Sequence, residues 1–432
     1  MAPLIVILAA GSRGDVQPYV ALGVGLRRAG YRVRICGPGS LPEMFPGLGI
    51  EYFQVPPPAS GDSQTSDSNR DMPLSWALTI AKLDVSMTIR RLKRIRDQSK
   101  AVLKYVLESS WEACQGADGI LAGYLSVAAQ HIAERLGVPY FCAPIYAVGR
   151  TSEFPYFLAP FGLHAGPVYN RLSHVIAEQI FWELQREVVD GWRRRLGLPS
   201  LGHRTPYNYG RNPRNPVLYG LSTALLARPA AWAPHMDLVG FWFLDEYCDW
   251  KPPATILDFL KERDDAPISI GFGSLDQFGR SDLMNLVTAA LRQTNLRGIL
   301  IADGFTEDAC RLSDRLYVLK SVPHGWLFPK VRAVVHHGGV GTVAAGLRAG
   351  RPTVTIPECS DQYFWGKRIA EYGAGPPPIP RSSLNTQQLA NAIRTATTDA
   401  RIEAAARQLS HIISTENGVQ KVVDRVRSVC PL

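Results

Sequence analysis

Residues 4–10 read LIVILAA, an unbroken apolar run of the kind a strand carries when both its faces are buried in a parallel sheet. GSRGD then turns the chain, and VQPYVALGVGLRRAG repeats its apolar residues at helical spacing as far as Gly30. YRVRICG follows as a second strand, so the opening predicts a βαβ unit. GADGILAG, SVAAQHIAERLG and VPYFCAP repeat the cycle as strand, helix and strand. A separate series starts near Ile256. APISIGFGSL is strand and glycine turn, LMNLVTAALRQ a helix and RGILIAD a strand. RLYVLKSV and RAVVHHGG are further strands, TVAAGLRAG is a helix and RPTVTIPEC a strand.

Two βαβ series in 432 residues predict an α/β protein of two doubly wound, Rossmann-like domains facing a central cleft. The boundaries read as 1–240 for the first domain and 241–254 for a proline-bearing linker. The second domain takes 255–400, and 401–432 forms a terminal helical stretch packing back on the first. The serine-rich stretch 56–71 is expected to be a mobile loop beside a ligand. Residues 150–215, with a long helix over roughly Tyr169–Leu196, are an elaboration of the core repeat.

Composition narrows the class. Hydrophobic residues make up 46% and charged residues 20%, an ordinary globular balance. Seven cysteines lie scattered without a CxxC pair, which points to a reducing, cytoplasmic setting and against a disulfide framework. The N-terminal apolar run lacks a basic flank and reads as a buried strand rather than a signal peptide. No stretch approaches the ~20 apolar residues of a membrane helix. The net charge is +9, but the basic residues are dispersed. The tightest cluster, RRLKRIR at 90–96, reads as a solvated helix face, so no nucleic-acid partner is expected.

The glycine-rich turns carry the candidate chemistry. GxGxxG after the first strand and GxxxxGK[ST] are both absent, which removes the common dinucleotide and P-loop readings. HHGGVGT (336–342) follows a strand and opens a helix, where amides and helix dipole favour an anion. GFGS (271–274) is a second such turn, and two in one domain suit a diphosphate. A structural turn with surface histidines is the competing reading. Adjacent histidines on a strand point to opposite faces, and no partner stands at metal-ligand spacing, so zinc is not favoured.

HHGGVGTVAAGLRAGRPTVTIPECSDQYFWGKRI resembles the nucleotide-sugar box of the GT-B glycosyltransferases. The similarity is to the branch holding sterol 3-beta-glucosyltransferases and the bacterial enzymes that decorate glycopeptide and macrolide antibiotics. GSRGDVQPYVALGVGL, WAPHMDLVGFWFL and SVPHGWLFPKVRAVVHH extend it over nearly the whole chain. The resemblance implies an acceptor held by the first domain, a nucleotide sugar held by the second, and no metal or other cofactor. The lipid-binding modules of the large fungal sterol enzymes have no counterpart, so a bare catalytic unit is expected. It further implies that His337, Gly339, Thr342 and Ser274 meet the diphosphate and that Asp361 and Gln362 hold sugar hydroxyls. Val322 would contact the base through its backbone. Two positions depart from plant relatives: Ser321 stands where their uracil-stacking tryptophan does, and Ala345 where their ribose-binding glutamate does. UDP is the favoured nucleotide.

Transfer to an alcohol needs a base for its hydroxyl and stabilisation of the departing diphosphate. The resemblance assigns the base to Asp15, whereas its place ahead of a helix also suits an N-cap. The second acid of the plant dyad is matched by Gly123, and Asp118 reads as a strand-end residue. His324 lies near the nucleotide or is structural, His131 reads as a solvated helix residue, and His164 and His174 are candidates to line an acceptor pocket. The 56–75 loop and FPYFLAPFGLHAGPVY (154–169) would shape that pocket for a small hydrophobic alcohol such as a sterol or terpenoid. An apolar lip on a basic protein would also allow peripheral membrane contact. The expected function is therefore an inverting transfer of hexose, in the first place glucose, from a UDP-sugar. The alternative is a non-catalytic nucleotide-sugar or lipid-binding protein on the same fold.

Overall fold

The computed structural model describes residues 1–38, 45–55, 89–159, 165–245, 250–272, 280–302, 309–358 and 361–432. The chain divides into two compact units, Met1–Leu244 with Asn417–Leu432, and Asp245–Glu416.

In the first unit the elements run β1 (Leu4–Leu8), α1 (Arg13–Arg28), β2 (Arg32–Pro38), β3 (Glu51–Val55), α2 (Ile89–Ala113), β4 (Gly119–Ala122) and α3 (Ala129–Leu136). They continue with β5 (Tyr140–Cys142), α4 (Gly166–Arg195), β6 (Val217–Tyr219) and β7 (Met236–Leu238). The seven strands form one sheet in the order β3-β2-β1-β4-β5-β6-β7, and every pairing is parallel. LIVIL occupies β1, with neighbours on both edges: Ile5 is paired to Val33 and to Gly119. All five of its residues are buried, as the unbroken apolar run requires. Strand order reverses between β1 and β4, which opens a crevice at their carboxyl ends.

The second unit contains α5 (Ala254–Lys261), β8 (Ile268–Gly271), α6 (Arg280–Thr294), β9 (Gly298–Ile301), β10 (Ala309–Arg311), β11 (Leu316–Leu319) and α7 (His324–Leu327). After these come β12 (Val334–His336), α8 (Val340–Arg348), β13 (Thr353–Thr355), α9 (Asp361–Glu371), α10 (Thr386–Thr398) and α11 (Ala400–Thr415). Its sheet runs β10-β11-β9-β8-β12-β13, parallel except for the antiparallel edge strand β10. The reversal here falls between β8 and β12, so His336 at the end of β12 stands opposite Gly271 at the end of β8. One face of this sheet is covered by a core that includes Ile270, Val287, Val335 and Ile393. The other buries Phe259, Tyr317, Leu327 and Val334.

The terminal helical pattern, which sequence alone joins from 401 to 428, is two helices. α11 belongs to the second unit, and a new helix, α12 (Gly418–Val429), returns to the first. Asn417 makes the break by accepting a hydrogen bond from the Gln420 amide at 3.1 Å, so it starts a helix rather than continuing one. α12 lies so close to α1 that a Cβ on Gly25 would fall 2.3 Å from Val419 Cγ1, and Tyr31 donates to the Cys430 carbonyl at 2.7 Å.

His131 corrects the sequence reading. It is 1% exposed, not solvated, because Arg193 from α4 reaches over α3 and approaches its Nδ1 at 2.8 Å while also pairing with Glu134. Burial pushes its pKa down to about 3, so the ring is neutral and accepts from the guanidinium. The apolar-moment pattern of a single helix cannot show a partner that arrives from 62 residues away.

Gly418 gives this packing a test. A Cβ there would meet the Gly240 and Phe241 carbonyl oxygens at 2.5 and 2.7 Å, and backbone has little room to yield. Gly418→Ala is expected to destabilise the first unit by about 1–3 kcal/mol in denaturant unfolding.

Candidate active site

The first turn of α1 is built around Asp15. Ser12 is the N-cap, and Asp15, three residues later, reaches back to the Ser12 amide at 2.7 Å and hydroxyl at 2.9 Å through Oδ2. Asp15 is therefore not the N-cap that its position before the helix suggested; it is the acidic member of a capping box. Gly11, at φ +120°, leaves room for this, since a Cβ on it would strike Asp15 Oδ2 at 2.4 Å.

Asp15 does more than close the helix. With Tyr19, Gly123, Tyr124, Ile145 and Tyr146 it lines a small pocket at the β1/β4 reversal. Ser126 donates to the Leu8 carbonyl at 2.7 Å and ties the loop after β4 to the end of β1. Tyr146 donates to the second carboxylate oxygen, Oδ1. Burial raises the pKa of Asp15 above the ordinary carboxylate value, and the hydrogen bonds from Tyr146 and Ser12 partly offset that. A carboxylate so raised is a better proton acceptor than a solvated one.

Gly123 has a physical reason to lack an acid. A Cβ there would lie 2.1 Å from the Tyr19 hydroxyl, which is fixed by donating to the Ala143 carbonyl at 2.7 Å. Asp118 accepts from the Leu4 amide at 2.7 Å and serves the edge of β1. His174 is fully buried beneath Tyr156, with Nε2 3.2 Å from the Phe154 carbonyl, and burial takes its pKa down to about 4. His164 and the 56–75 loop up to residue 75 lie outside the described residues.

In the second unit, the turn from β12 into α8 gathers several of the sequence candidates. His336 is buried, and its Nδ1 accepts from the Gly338 amide at 2.9 Å, a structural role. Gly338 adopts φ +97°, and a Cβ on it would come within 3.0 Å of the Gln362 carbonyl. The start of α9 is thus pressed against this turn. Gly339 is the N-cap of α8 and offers no side-chain cap. The Val340 and Gly341 amides, which precede the first amide that the Gly339 carbonyl accepts, have no intrahelical acceptor.

His337 lies across that helix start, because a Cβ on Gly339 would fall 2.5 Å from its Nε2. Its Nδ1 is buried without a partner among the described residues, and burial depresses its pKa to about 4, so the ring is neutral. A neutral imidazole above free amides, at the positive end of a helix dipole, is suited to donate to an anionic oxygen. Thr342 sits in the same first turn, its amide bonded to the Gly339 carbonyl at 3.1 Å. At the facing helix start, Asp361 accepts from Trp365 Nε1 at 3.1 Å and Gln362 Oε1 accepts from the Glu358 amide at 2.9 Å. Val322 turns its side chain into the core, and His324 stacks on Phe328 with centroids 4.4 Å apart. Ser274 lies outside the described residues. Among the described residues, no three His, Cys, Asp or Glu side chains cluster as metal ligands would.

Residues 5–155 match the glycosyltransferase family 28 N-terminal domain, and residues 297–429 match the erythromycin biosynthesis protein CIII-like C-terminal domain. The chain has the GT-B fold of the glycosyltransferases. Sterol 3-beta-glucosyltransferases from Debaryomyces hansenii and Candida albicans are 33% and 34% identical over 97% and 98% of the chain. The chain spans only 26% and 27% of the length of those two relatives. Among solved structures, the glycotransferase of kitacinnamycin superposes with TM-score 0.69 at 16% identity, covering 100% of this chain and 99% of its own. A calicheamicin glycosyltransferase gives 0.68 at 16%, covering 99% and 98%. Identity that low speaks for the fold alone.

Within this GT-B chain, sequence reasoning did not find Tyr146, Trp365 or Glu358. Tyr146 lies 131 residues from Asp15, and the loop that carries it has no periodicity to mark it. Glu358 did sit in the quoted nucleotide-sugar box, where its spacing from Gln362 was a usable signal. The geometry of Gly338 can be tested directly. Gly338→Ala meets both a left-handed φ and the Gln362 backbone, and is expected to cost about 1–2 kcal/mol in thermal unfolding.

Proposed function

We propose that this chain is an inverting, metal-independent glycosyltransferase that moves a hexose, glucose in the first instance, from a UDP-sugar to a hydroxyl of a hydrophobic sterol-like acceptor. The observation that carries the proposal is Asp15: a partly buried carboxylate with a raised pKa, lining a pocket at the strand reversal of the first unit. In this reading Asp15 Oδ1 takes the proton from the acceptor hydroxyl as the oxygen bonds to the anomeric carbon. The bond to the diphosphate breaks with its electron pair going to UDP. His337 and the first amides of α8 hold the departing diphosphate, Gly339 allowing its close approach and Thr342 and Ser274 donating hydroxyls. Asp361 and Gln362 hold sugar hydroxyls, oriented by Trp365 and the Glu358 amide. Val322 contacts the base through its backbone.

The acceptor class is supported by the likeness to sterol 3-beta-glucosyltransferases. Terpenoids and other polycyclic natural products share that rigid apolar shape. A solved neighbour bound to thymidine diphosphate keeps TDP-sugars in the donor comparison. No helix among the described residues is long and apolar enough to cross a membrane. Peripheral contact would bring the enzyme to a lipid-like acceptor, and the buried thiols of Cys36 and Cys114 fit a reducing, cytoplasmic setting.

Incubation with radiolabelled UDP-glucose and a panel of sterols, triterpenes and macrolides is expected to label a sterol. Competition with TDP- and GDP-sugars then ranks the donor. Binding of UDP with no label transferred to any acceptor would instead identify a nucleotide-sugar-binding protein without turnover. Asp15→Asn is expected to lower kcat by about 10²- to 10⁴-fold while leaving UDP affinity intact; wild-type rates would reduce Asp15 to its capping box. His337→Ala is expected to weaken UDP binding by about 2 kcal/mol, read by calorimetry. Unchanged affinity would remove His337 from the phosphate site.

A further inference from the structure

The two carboxylate oxygens of Asp15 have different partners. Oδ2 accepts both hydrogen bonds from Ser12, at 2.7 and 2.9 Å, and these belong to the capping box of α1. Oδ1 is met by the Tyr146 hydroxyl, which comes from the loop after β5 and contributes nothing to that helix. Tyr146 also lines the pocket beside Asp15. Its ring is held nearly parallel to Phe157, with centroids 5.3 Å apart and planes at 12°. The torsion that orients an aspartate carboxylate is broad and weakly restrained. An anchor on each oxygen fixes the plane that one anchor leaves free to rock.

We propose that Tyr146 is a positioning residue for Asp15, holding Oδ1 at the pocket wall where an acceptor hydroxyl must deliver its proton. The inference rests on the reading of Asp15 as the base. A hydroxyl that donates to a carboxylate favours its charged form, so Tyr146 also keeps Asp15 deprotonated against the effect of burial. Among the described residues, Ser12 also bonds Asp15 from the helix start, and Tyr19, Tyr124 and Ser126 line the same pocket. Burial pushes both tyrosine hydroxyls further up from their ordinary value, so neither ionises where a carboxylate titrates. Removing the Tyr146 hydroxyl therefore raises the pKa of Asp15. A base that works deprotonated then loses activity at a higher pH, and the acidic limb of the rate profile moves up.

Tyr146→Phe removes the hydroxyl and keeps the ring on Phe157. In protein labelled with 13C at aspartate Cγ, with Asp15→Asn identifying the resonance, the Asp15 midpoint is expected to move to higher pH in Tyr146→Phe. The acidic limb of kcat/KM, with the sterol that gives the highest turnover in the acceptor panel, should move the same way. UDP affinity should not change. A midpoint and limb that stay in place while Asp15→Asn is inactive would overturn the role of Tyr146 alone, even if Tyr146→Phe were slower. Wild-type turnover by Asp15→Asn would overturn the base assignment and this proposal together.

Discussion

The turn between β12 and α8 rests on a steric constraint: at two consecutive positions a β-carbon would crowd its neighbours. Gly338 takes a backbone conformation that side chains disfavour and stands against the Gln362 carbonyl, while Gly339 leaves the volume that the His337 ring occupies. With those two groups absent, the start of α9 can press on the start of α8, and a histidine can lie over a helix start whose N-cap residue has no side chain to cap it. Burial keeps that histidine neutral, and the helix dipole beneath it favours negative charge. Thr342 in the first turn of α8 and Asp361 and Gln362 at the start of α9, all proposed to hold the sugar nucleotide, flank this close approach.

The first unit solves a related problem differently. Its turn after β1 does not leave the helix start bare; Ser12 and Asp15 close it with a capping box. The carboxylate is a structural group, and in the proposed reaction a chemical one as well. One oxygen completes α1, and the other accepts from the Tyr146 hydroxyl, which lines the same pocket as Gly123; the Tyr19 hydroxyl stands where a side chain on that glycine would begin. Cap and base do not exclude each other, because Ser12 and Tyr146 meet different oxygens of the carboxylate. An acid at position 123 is sterically barred while Tyr19 keeps its bond to the Ala143 carbonyl. Asp15 in turn has its second hydrogen-bonding partner in a tyrosine.

Much of the architecture was legible in the chain. The buried run LIVIL, the glycine turns after strands and the amphipathic helices between them announce parallel sheets, since only strands covered on both faces lack polar alternation. The HHGG turn was legible as a glycine-rich strand-to-helix junction, which is where β12 runs into α8; an anion held there is the proposal. The two histidines also separated as strand geometry demands, His336 inward to the Gly338 amide and His337 outward over the helix. By contrast, His131 was misread as solvated, because its burial comes from Arg193 on another helix. The single terminal helix was misread because Asn417, one polar residue in a periodic pattern, starts a new helix that packs on α1.

By itself, then, the sequence determined the periods, the turns and the residue types that chemistry requires, because these are set by each residue and its near neighbours. It determined that Asp15, His337, Asp361 and Gln362 stand at the ends of strands or the starts of helices. Tertiary structure alone decided which oxygen of Asp15 is offered to the pocket, what shifts its pKa, and why position 123 carries no side chain. It also decided that Gln362 lies against Gly338. These are matters of which atoms meet across 20 to 130 residues of chain and how much water is excluded when they do. Contact distance and desolvation act in space, and no local pattern encodes them.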